Sequence, residues 1–336
     1  MESKPTDDLR SLAASFPLLV YDHGEQPDNS QTVFSVADGS CRAYRVPELR
    51  NNYRCLETPR GLVLLADAAS SQTSLWNPQT GEKIALPALE KALPEDCRCL
   101  LSDTTSSPDC LVLIYDLAQP DLLFCRVNGG SAWIAQSLDI GLYTLPDCHP
   151  DSHLPPTRNV ISEMAAVQGR FYFMEDLDVA GVLSFAQDPE PHMELTSFGA
   201  PMPTFDSDAP RVVTLSYLLE SSRELFLVCF FFLGCSFEPV EEVAAYRMDF
   251  SKQEWRRVID IGDRAFLVGP DRFAASCSAV EHGLRRGCVY FAFDFFGDST
   301  EFYVFDLLQG TRELIGPGQD VPLPTSPPFW MLPVLP

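Results

Sequence analysis

The sequence predicts an all-β protein: a β-propeller of six blades, each a four-stranded antiparallel sheet. Three observations predict it. Short apolar runs of strand length alternate with polar turns along nearly the whole chain. A phrase recurs, in which two apolar runs are followed by Asn-Pro or Asp and then a Gly. Its clearest copies are Gly61-Leu62-Val63-Leu64-Leu65 with Ser74-Leu75-Trp76-Asn77-Pro78-Gln79-Thr80-Gly81, and Cys288-Val289-Tyr290-Phe291 with Phe302-Tyr303-Val304-Phe305-Asp306-Leu307-Leu308-Gln309-Gly310. Finally, the self-similarity has a period of roughly 40–55 residues, the length of a propeller blade.

The elements follow in order. Residues 1–15 are polar and of mixed charge, and read as a tail or a short helix around Asp7 to Ala14; residues 16–336 read as one propeller domain. Phe16 to Asp22, Thr32 to Val36 and Cys41 to Val46 form a first strand group, with Asp38-Gly39 as a hairpin turn. The second group runs from Cys55 to Leu89, the third from Cys97 to Ile140, with Trp133 to Gln136 as its outer strand. After a Pro-rich connector at Leu145 to Thr157, the fourth covers Val160 to Phe198. A second connector, Ala200 to Pro210, precedes the fifth group at Val212 to Val268 and the sixth at Arg272 to Ile315. A seventh blade would have to come from the two connectors, which hold too few apolar alternations. The apolar tail Phe329 to Leu332 is expected to pair with Phe16 to Tyr21, because closing the ring removes exposed strand edges.

Composition narrows the partners. The 336 residues carry a formal net charge of −23, and 46% of them are hydrophobic, enough for a large core. So acidic a chain repels phosphate backbones and anionic lipid, and no basic stripe offsets it: Arg256-Arg257 and Arg285-Arg286 are only pairs. Nucleic-acid and membrane binding are therefore not expected. The run Leu225 to Cys235 is too short for a membrane span, which takes about 20 residues; it reads as a strand buried on both faces. No signal peptide is read at Met1 to Ser15, and the 11 cysteines read as reduced thiols of a cytoplasmic or nuclear protein.

Several constellations invite a chemical reading. Cys148, His149 and His153 have a spacing that reaches one Zn²⁺, but their loop has the composition of a connector, which is the preferred reading. Cys97-Arg98-Cys99 fits no redox or zinc motif and reads as two thiols on one face of a strand. Ser276-Cys277-Ser278 lacks the frame of a nucleophile elbow, although His282 follows. Asp263 and Arg264, after Gly262, read as an internal pair fixing a turn, with a rim contact as the alternative. Trp76, Trp133, Trp255 and Trp330 read as outer-strand residues packing between blades. No catalytic residue and no cofactor follow from these patterns.

Taken in order, Phe16-Pro17-Leu18-Leu19-Val20, Pro47-Glu48-Leu49-Arg50, Leu75-Trp76-Asn77-Pro78-Gln79-Thr80-Gly81, Leu93-Pro94-Glu95-Asp96-Cys97, Tyr246-Arg247-Met248-Asp249-Phe250, Ile261-Gly262-Asp263-Arg264-Ala265-Phe266-Leu267 and Phe329-Trp330-Met331-Leu332-Pro333 resemble the plant F-box-associated, KIB-type β-propeller family expanded in grasses. The turn motif is shared with other kelch-like propellers; its order with Gly-Asp-Arg-Ala-Phe is more specific. The resemblance implies a propeller that recruits a target protein, often behind an F-box that docks on the Skp1 adaptor of a ubiquitin ligase. Only about fifteen residues precede the first strand, short of the roughly 40–50 of a helical F-box, so adaptor binding is not expected. The expectation is a monomeric, non-enzymatic module that binds a protein partner of unknown identity. The alternatives are a propeller hydrolase with a metal in its channel and a non-functional or dominant-negative paralogue.

Overall fold

A computed structural model describes residues 15–21, 30–49, 53–143, 155–186, 191–204, 212–233, 240–270, 272–292, 301–316 and 328–334. Among them there is no helix, and the strands form six sheets arranged as blades, with one two-stranded ribbon. Blade 1 is β1 (Leu18–Val20), β2 (Gln31–Ser35) and β3 (Ser40–Tyr44), completed on its inner edge by β27 (Phe329–Met331). Blade 2 is β4 (Tyr53–Glu57), β5 (Val63–Asp67), β6 (Thr73–Trp76) and β7 (Lys83–Leu86). Blade 3 is β8 (Cys97–Leu101), β9 (Leu111–Asp116), β10 (Asp121–Arg126) and β11 (Ile134–Ser137). The ribbon of β12 (Leu142–Tyr143) and β13 (Thr157–Arg158) follows. Blade 4 is β14 (Met164–Val167), β15 (Arg170–Asp176), β16 (Val179–Ala186) and β17 (His192–Gly199). Blade 5 is β18 (Val212–Ser221), β19 (Glu224–Leu233), β20 (Val240–Asp249) and β21 (Glu254–Val258).

Blade 6 departs from the four-stranded antiparallel plan. It has five strands: β22 (Arg264–Val268), β23 (Ala274–Ser278), β24 (Cys288–Ala292), β25 (Phe302–Asp306) and β26 (Thr311–Gly316), in the order β23-β22-β24-β25-β26. β22 runs parallel to β24, with Ala265 opposite Cys288 and Val268 opposite Phe291. The chain therefore turns inward through β23 before it comes back outward. This moves β22 from the fifth strand group, where its sequence position puts it, into the sixth blade. Local apolar runs cannot show that move, because its cause is a pairing across a turn.

The turn signature has a clear physical basis. Asn77 Oδ1 accepts the amides of Gln79 and Thr80 at 2.9 and 3.3 Å, and its carbonyl accepts the Gly81 N–H at 2.8 Å. Gly81 sits at φ 78°, where a glycine costs least. Asp306 caps Leu308 and Gln309 at 2.9 and 2.8 Å in the same way, ahead of Gly310 at φ 65°. Asp67 and Asp249 repeat the device with Ser71 and Gln253 in the left-handed position.

Buried side chains form one apolar layer at each junction between blades. Leu18, Val33, Val63 and Trp76 join blades 1 and 2, and Leu64, Cys99, Val112 and Trp133 join blades 2 and 3. Leu113, Phe124, Phe171 and Leu183 join blades 3 and 4, and Val182, Leu227 and Tyr246 join blades 4 and 5. Phe230, Phe266 and Phe291 join blades 5 and 6, and Phe34, Tyr290, Phe302 and Trp330 join blade 6 to blade 1. The apolar run of β19 is buried on both faces, as its composition predicts. All four tryptophans pack in these layers or against them. Trp330 is not in an outer strand, however: it lies in β27, the innermost strand of blade 1.

Closure follows the expected pairing of the two ends. Leu18, Leu19 and Val20 pair with Met331, Trp330 and Phe329. The chain beyond β27 then crosses blade 2, where the Val334 amide donates to Gln79 Oε1 at 2.8 Å. Gly61, at φ 86°, makes room for this crossing: a Cβ there would lie 2.4 Å from the Pro333 carbonyl oxygen. Gly61→Ala is expected to destabilise the fold by at least about 2 kcal/mol, through left-handed strain and the backbone clash together. Urea unfolding of both proteins measures it, and an unchanged midpoint would show that the terminal crossing contributes nothing.

Candidate functional site at the hub

The inner strands β27, β4, β8, β14, β18 and β23 surround the axis, and each touches the next in that order. Side chains that point inward from them meet one another, away from the apolar layers between blades. Four such groups are charged, each from a different blade. Glu57 ends β4, Arg98 lies on β8, Glu163 precedes β14 and Arg272 precedes β23. Glu57 and Glu163 are buried.

Each has defined partners. The Glu57 carboxylate receives the backbone N–H of Trp330 and faces the Arg98 guanidinium. Glu163 Oε1 accepts the Ser216 hydroxyl at 2.9 Å, and Arg272 lies beside the same carboxylate. Arg272 Nη1 in turn donates to the Ser216 carbonyl at 2.9 Å, and its guanidinium lies 5.9 Å from the Tyr217 ring centroid. The Tyr115 phenol feels Arg98, Glu163 and Arg272 together, which shows that these groups converge on one region. Burial pushes the Tyr115 and Tyr217 hydroxyls above their ordinary range, so both remain neutral donors.

Burial also dominates the carboxylates. It pushes Glu57 up to about 7, against the opposing pull of Arg98 and the Trp330 N–H. Glu163 is raised for the same reason, against Arg272, the Ser216 hydroxyl and the Leu218 amide. One atom is left over: Glu163 Oε2 is buried and has no hydrogen-bond partner. On and beside the same inner strands lies a small solvent-open hollow lined by Leu100, Ala165, Leu218 and Ala274, and by Arg60 and Glu220. The arrangement is a hub cluster of two buried carboxylates and two guanidinium groups, in which Glu57 can hold a proton near neutral pH. Two arginines stand among its carboxylates. Among the described residues no three His, Cys, Asp or Glu side chains are grouped to hold a metal.

The residues singled out in the sequence lie elsewhere. Cys148, His149 and His153 fall outside the described residues. Trp76, Asn77, Pro78 and Gly81 build the third strand and outer turn of blade 2. The Gly262 amide donates to Asp260 Oδ1 at 2.8 Å. Asp263 and Arg264 do not form the expected internal pair. Asp263 accepts the Ser278 hydroxyl at 2.8 Å and meets Arg286 at 3.3 Å, whereas Arg264 Nε donates to Ser276 Oγ at 2.9 Å. Asp263 lies in the bend before β22 and Arg264 opens the strand, and each takes a different partner. Ser276 also shares a 2.9 Å hydrogen bond with the buried Ser221, which ties blade 6 to blade 5. Cys97 and Cys99 are buried in the layer between blades 2 and 3, and the same alternation turns Arg98, between them, to the hub. That period-two pattern was the available signal for Arg98. Glu57 and Glu163 had none, since a Glu beside an apolar strand usually reads as a turn residue.

The profile of the KIB1-4 β-propeller family matches residues 33–309, and the chain belongs to that family. No curated protein sequence matches it. Among solved structures, it is similar to a calcium-binding protein, regucalcin, from Agrobacterium tumefaciens: 11% identity over 90% of this chain and 80% of that one, with a TM-score of 0.35. It is also similar to BBS1N in a complex with ARL6DN: 7% identity over 85% of this chain and 71% of that one, with a TM-score of 0.34. No helix among the described residues is long and apolar enough to cross a membrane.

The raised Glu57 has a consequence for stability. Between its ordinary value of 4.5 and about 7, the folded chain holds a proton at Glu57 that the unfolded chain has lost. The contribution of this site is therefore complete below the lower value and falls as pH rises through the upper one, by at most about 3 kcal/mol. Glu57→Gln should remove that slope. Urea midpoints between about pH 5 and about pH 8 test it, with the variant gaining on the native protein as pH rises; parallel curves would contradict it.

Proposed function

We propose that this KIB1-4 β-propeller is a non-enzymatic protein-interaction module that takes its partner on the exposed rim, as the recognition domain of an F-box ubiquitin ligase takes a target. The observation that carries this reading is the shape of the ring. Its innermost strands pack against one another around the axis, so most of the area available to a protein lies on the outer turns and blade edges. Specific protein interfaces bury roughly 800 Å² on each partner, an area that exposed turns and blade edges can supply.

One stretch of rim has the chemistry of an anchor. Phe250, in the turn between β20 and β21, is 47% exposed, and its ring leans on Tyr172 and Phe198 at 5.4 and 6.0 Å between centroids. Exposed Leu177 ends the neighbouring hairpin of blade 4. An aromatic ring already braced by others loses little freedom on contact, and such residues dominate binding energy. The net charge of −23 favours a basic partner. On this reading the protein works as a monomer in the cytoplasm or nucleus.

The immobilised protein is expected to retain a discrete partner from grass-leaf extract. Retention should weaken as salt rises, and Phe250→Ala should cut it by about tenfold while moving the unfolding midpoint by less than about 0.5 kcal/mol. Failure to retain any protein, under conditions in which related propellers retain theirs, would overturn the reading. A Skp1-type adaptor in the eluate would extend it to a ligase.

A further inference from the structure

Each blade ends in an outer strand with an open edge, and these edges are not alike. Arg42 on β3, Lys83 on β7, Arg256 on β21 and Glu313 on β26 each hold an ion pair, and β11 has only four residues. Charge and shortness both discourage the addition of a further strand. β17 has eight residues, no Lys or Arg, and exposed side chains at Glu194, Leu195, Thr196 and Ser197. It pairs with β16 over its whole length without a shift in register. Just beyond it the Ala200 amide donates to the Asp178 carbonyl at 2.8 Å, so the even-numbered residues of β17 exchange their backbone bonds with β16. The backbone groups of Met193, Leu195, Ser197 and Gly199 therefore point outward, and among the described residues no strand lies beside them.

The two faces of this edge differ. Phe198 packs in the layer toward blade 5, where its ring meets Phe250, whereas Met193 packs in the layer toward blade 3. By alternation Glu194 shares the Phe198 face and Leu195 the Met193 face. The surroundings are acidic. Exposed Asp176 and Asp178 flank Leu177 in the turn beside the end of β17, and no ion pair among the described residues holds Glu194. Arg170, the only Lys or Arg in the strands of blade 4, opens β15 at its other end.

We propose that the partner on the rim adds an antiparallel strand to β17: an extended segment in which Lys or Arg alternates with β-branched residues. This rests on the rim reading and names the part of the partner that the rim takes. Residues opposite Leu195 and Ser197 exchange both backbone bonds with them and share their face, so the β-branched side chains lie on Leu195. The cations fall on the other face, with Glu194 to pair with and the Phe250 ring to stack on. The backbone bonds supply affinity, and the alternation of side chains supplies specificity.

Capped octapeptides titrated into the ¹⁵N-labelled full chain test it. One alternates lysine with valine, one has glutamate in place of lysine, and one has N-methylvaline in place of valine. The lysine peptide should bind saturably and slow hydrogen exchange of the Leu195 and Ser197 amides by at least about tenfold, while the Thr196 amide, already bonded to β16, changes little. The other two peptides should bind at least about tenfold more weakly. Leu195→Pro removes an outward donor at a position where an edge strand accepts proline, and should abolish binding in a folded protein. Glu194→Lys leaves the edge intact and should erase the preference for lysine over glutamate. A glutamate or N-methylated peptide that binds the native protein as tightly as the lysine peptide overturns the proposal. So does saturable binding that leaves the Leu195 and Ser197 amides unprotected, or no binding at all. Protection of those amides that rises with protein concentration in the absence of peptide, with a doubled mass in light scattering, overturns it in favour of a second copy of the chain. If β17 stays bare while Phe250→Ala still cuts retention of the leaf protein, the rim reading stands and the added strand falls. If the lysine peptide binds and no leaf protein is retained, the rim reading fails while the edge stands as a strand-docking site.

Discussion

The inner edge of blade 1 is built from the opposite end of the chain. β1 would otherwise present a row of unpaired backbone groups to the axis, and β27 supplies the matching row. Nearly everything else depends on this antiparallel pair. It places Trp330 in the layer that joins blades 6 and 1, where the indole meets Phe302 edge-on at 5.6 Å. It brings the Trp330 amide to Glu57, so the seal is tied into the hub. It leads the tail over Gly61 and onto Gln79, which fastens the last residues to blade 2. The ring is thus held at three points next to its own seam, where β1 is paired on both sides.

The polar hub is a consequence of that geometry. Side chains between blades meet apolar neighbours on a facing sheet, and there the chain places Leu, Val and Phe. Side chains aimed at the axis have no facing sheet; they meet the other inner strands across a narrow space. Charges of alternate sign on different blades lie near one another there and favour one arrangement of blades 2, 3, 4 and 6 around the axis. Buried pairs of this kind add little net stability but penalise any arrangement that separates them. A stiff hub in turn leaves the outer turns as the place where variation is tolerated and partners are met.

Much of this architecture was legible in the order of residues. The six strand groups, the capped turns at Asn77 and Asp306, the doubly buried β19 and the pairing of Phe16 to Tyr21 with Phe329 to Leu332 all follow from local pattern and from the need to satisfy strand edges. Those signals are short-range: a hydrophobic period of two, an Asx side chain ahead of a left-handed residue, an apolar tail that must be covered.

Tertiary structure decided the rest. The transfer of β22 to blade 6 depends on its parallel register with β24, a contact that no local period encodes. The inner position of Trp330 depends on which side of β1 the last strand joins. The partners of Asp263 and Arg264 were set by the residues that folding brought beside them, Ser278 and Arg286 for the one and Ser276 for the other. The hub itself gathers Glu57, Arg98, Glu163 and Arg272 from four blades. Their sequence separations carry no sign of proximity, because a radial fold brings together at its axis one position from every repeat. The amino-acid order thus determined what each blade is made of. Only ring closure determined which residues face one another at the centre, because side chains there are neighbours through the symmetry of the ring and not through the chain.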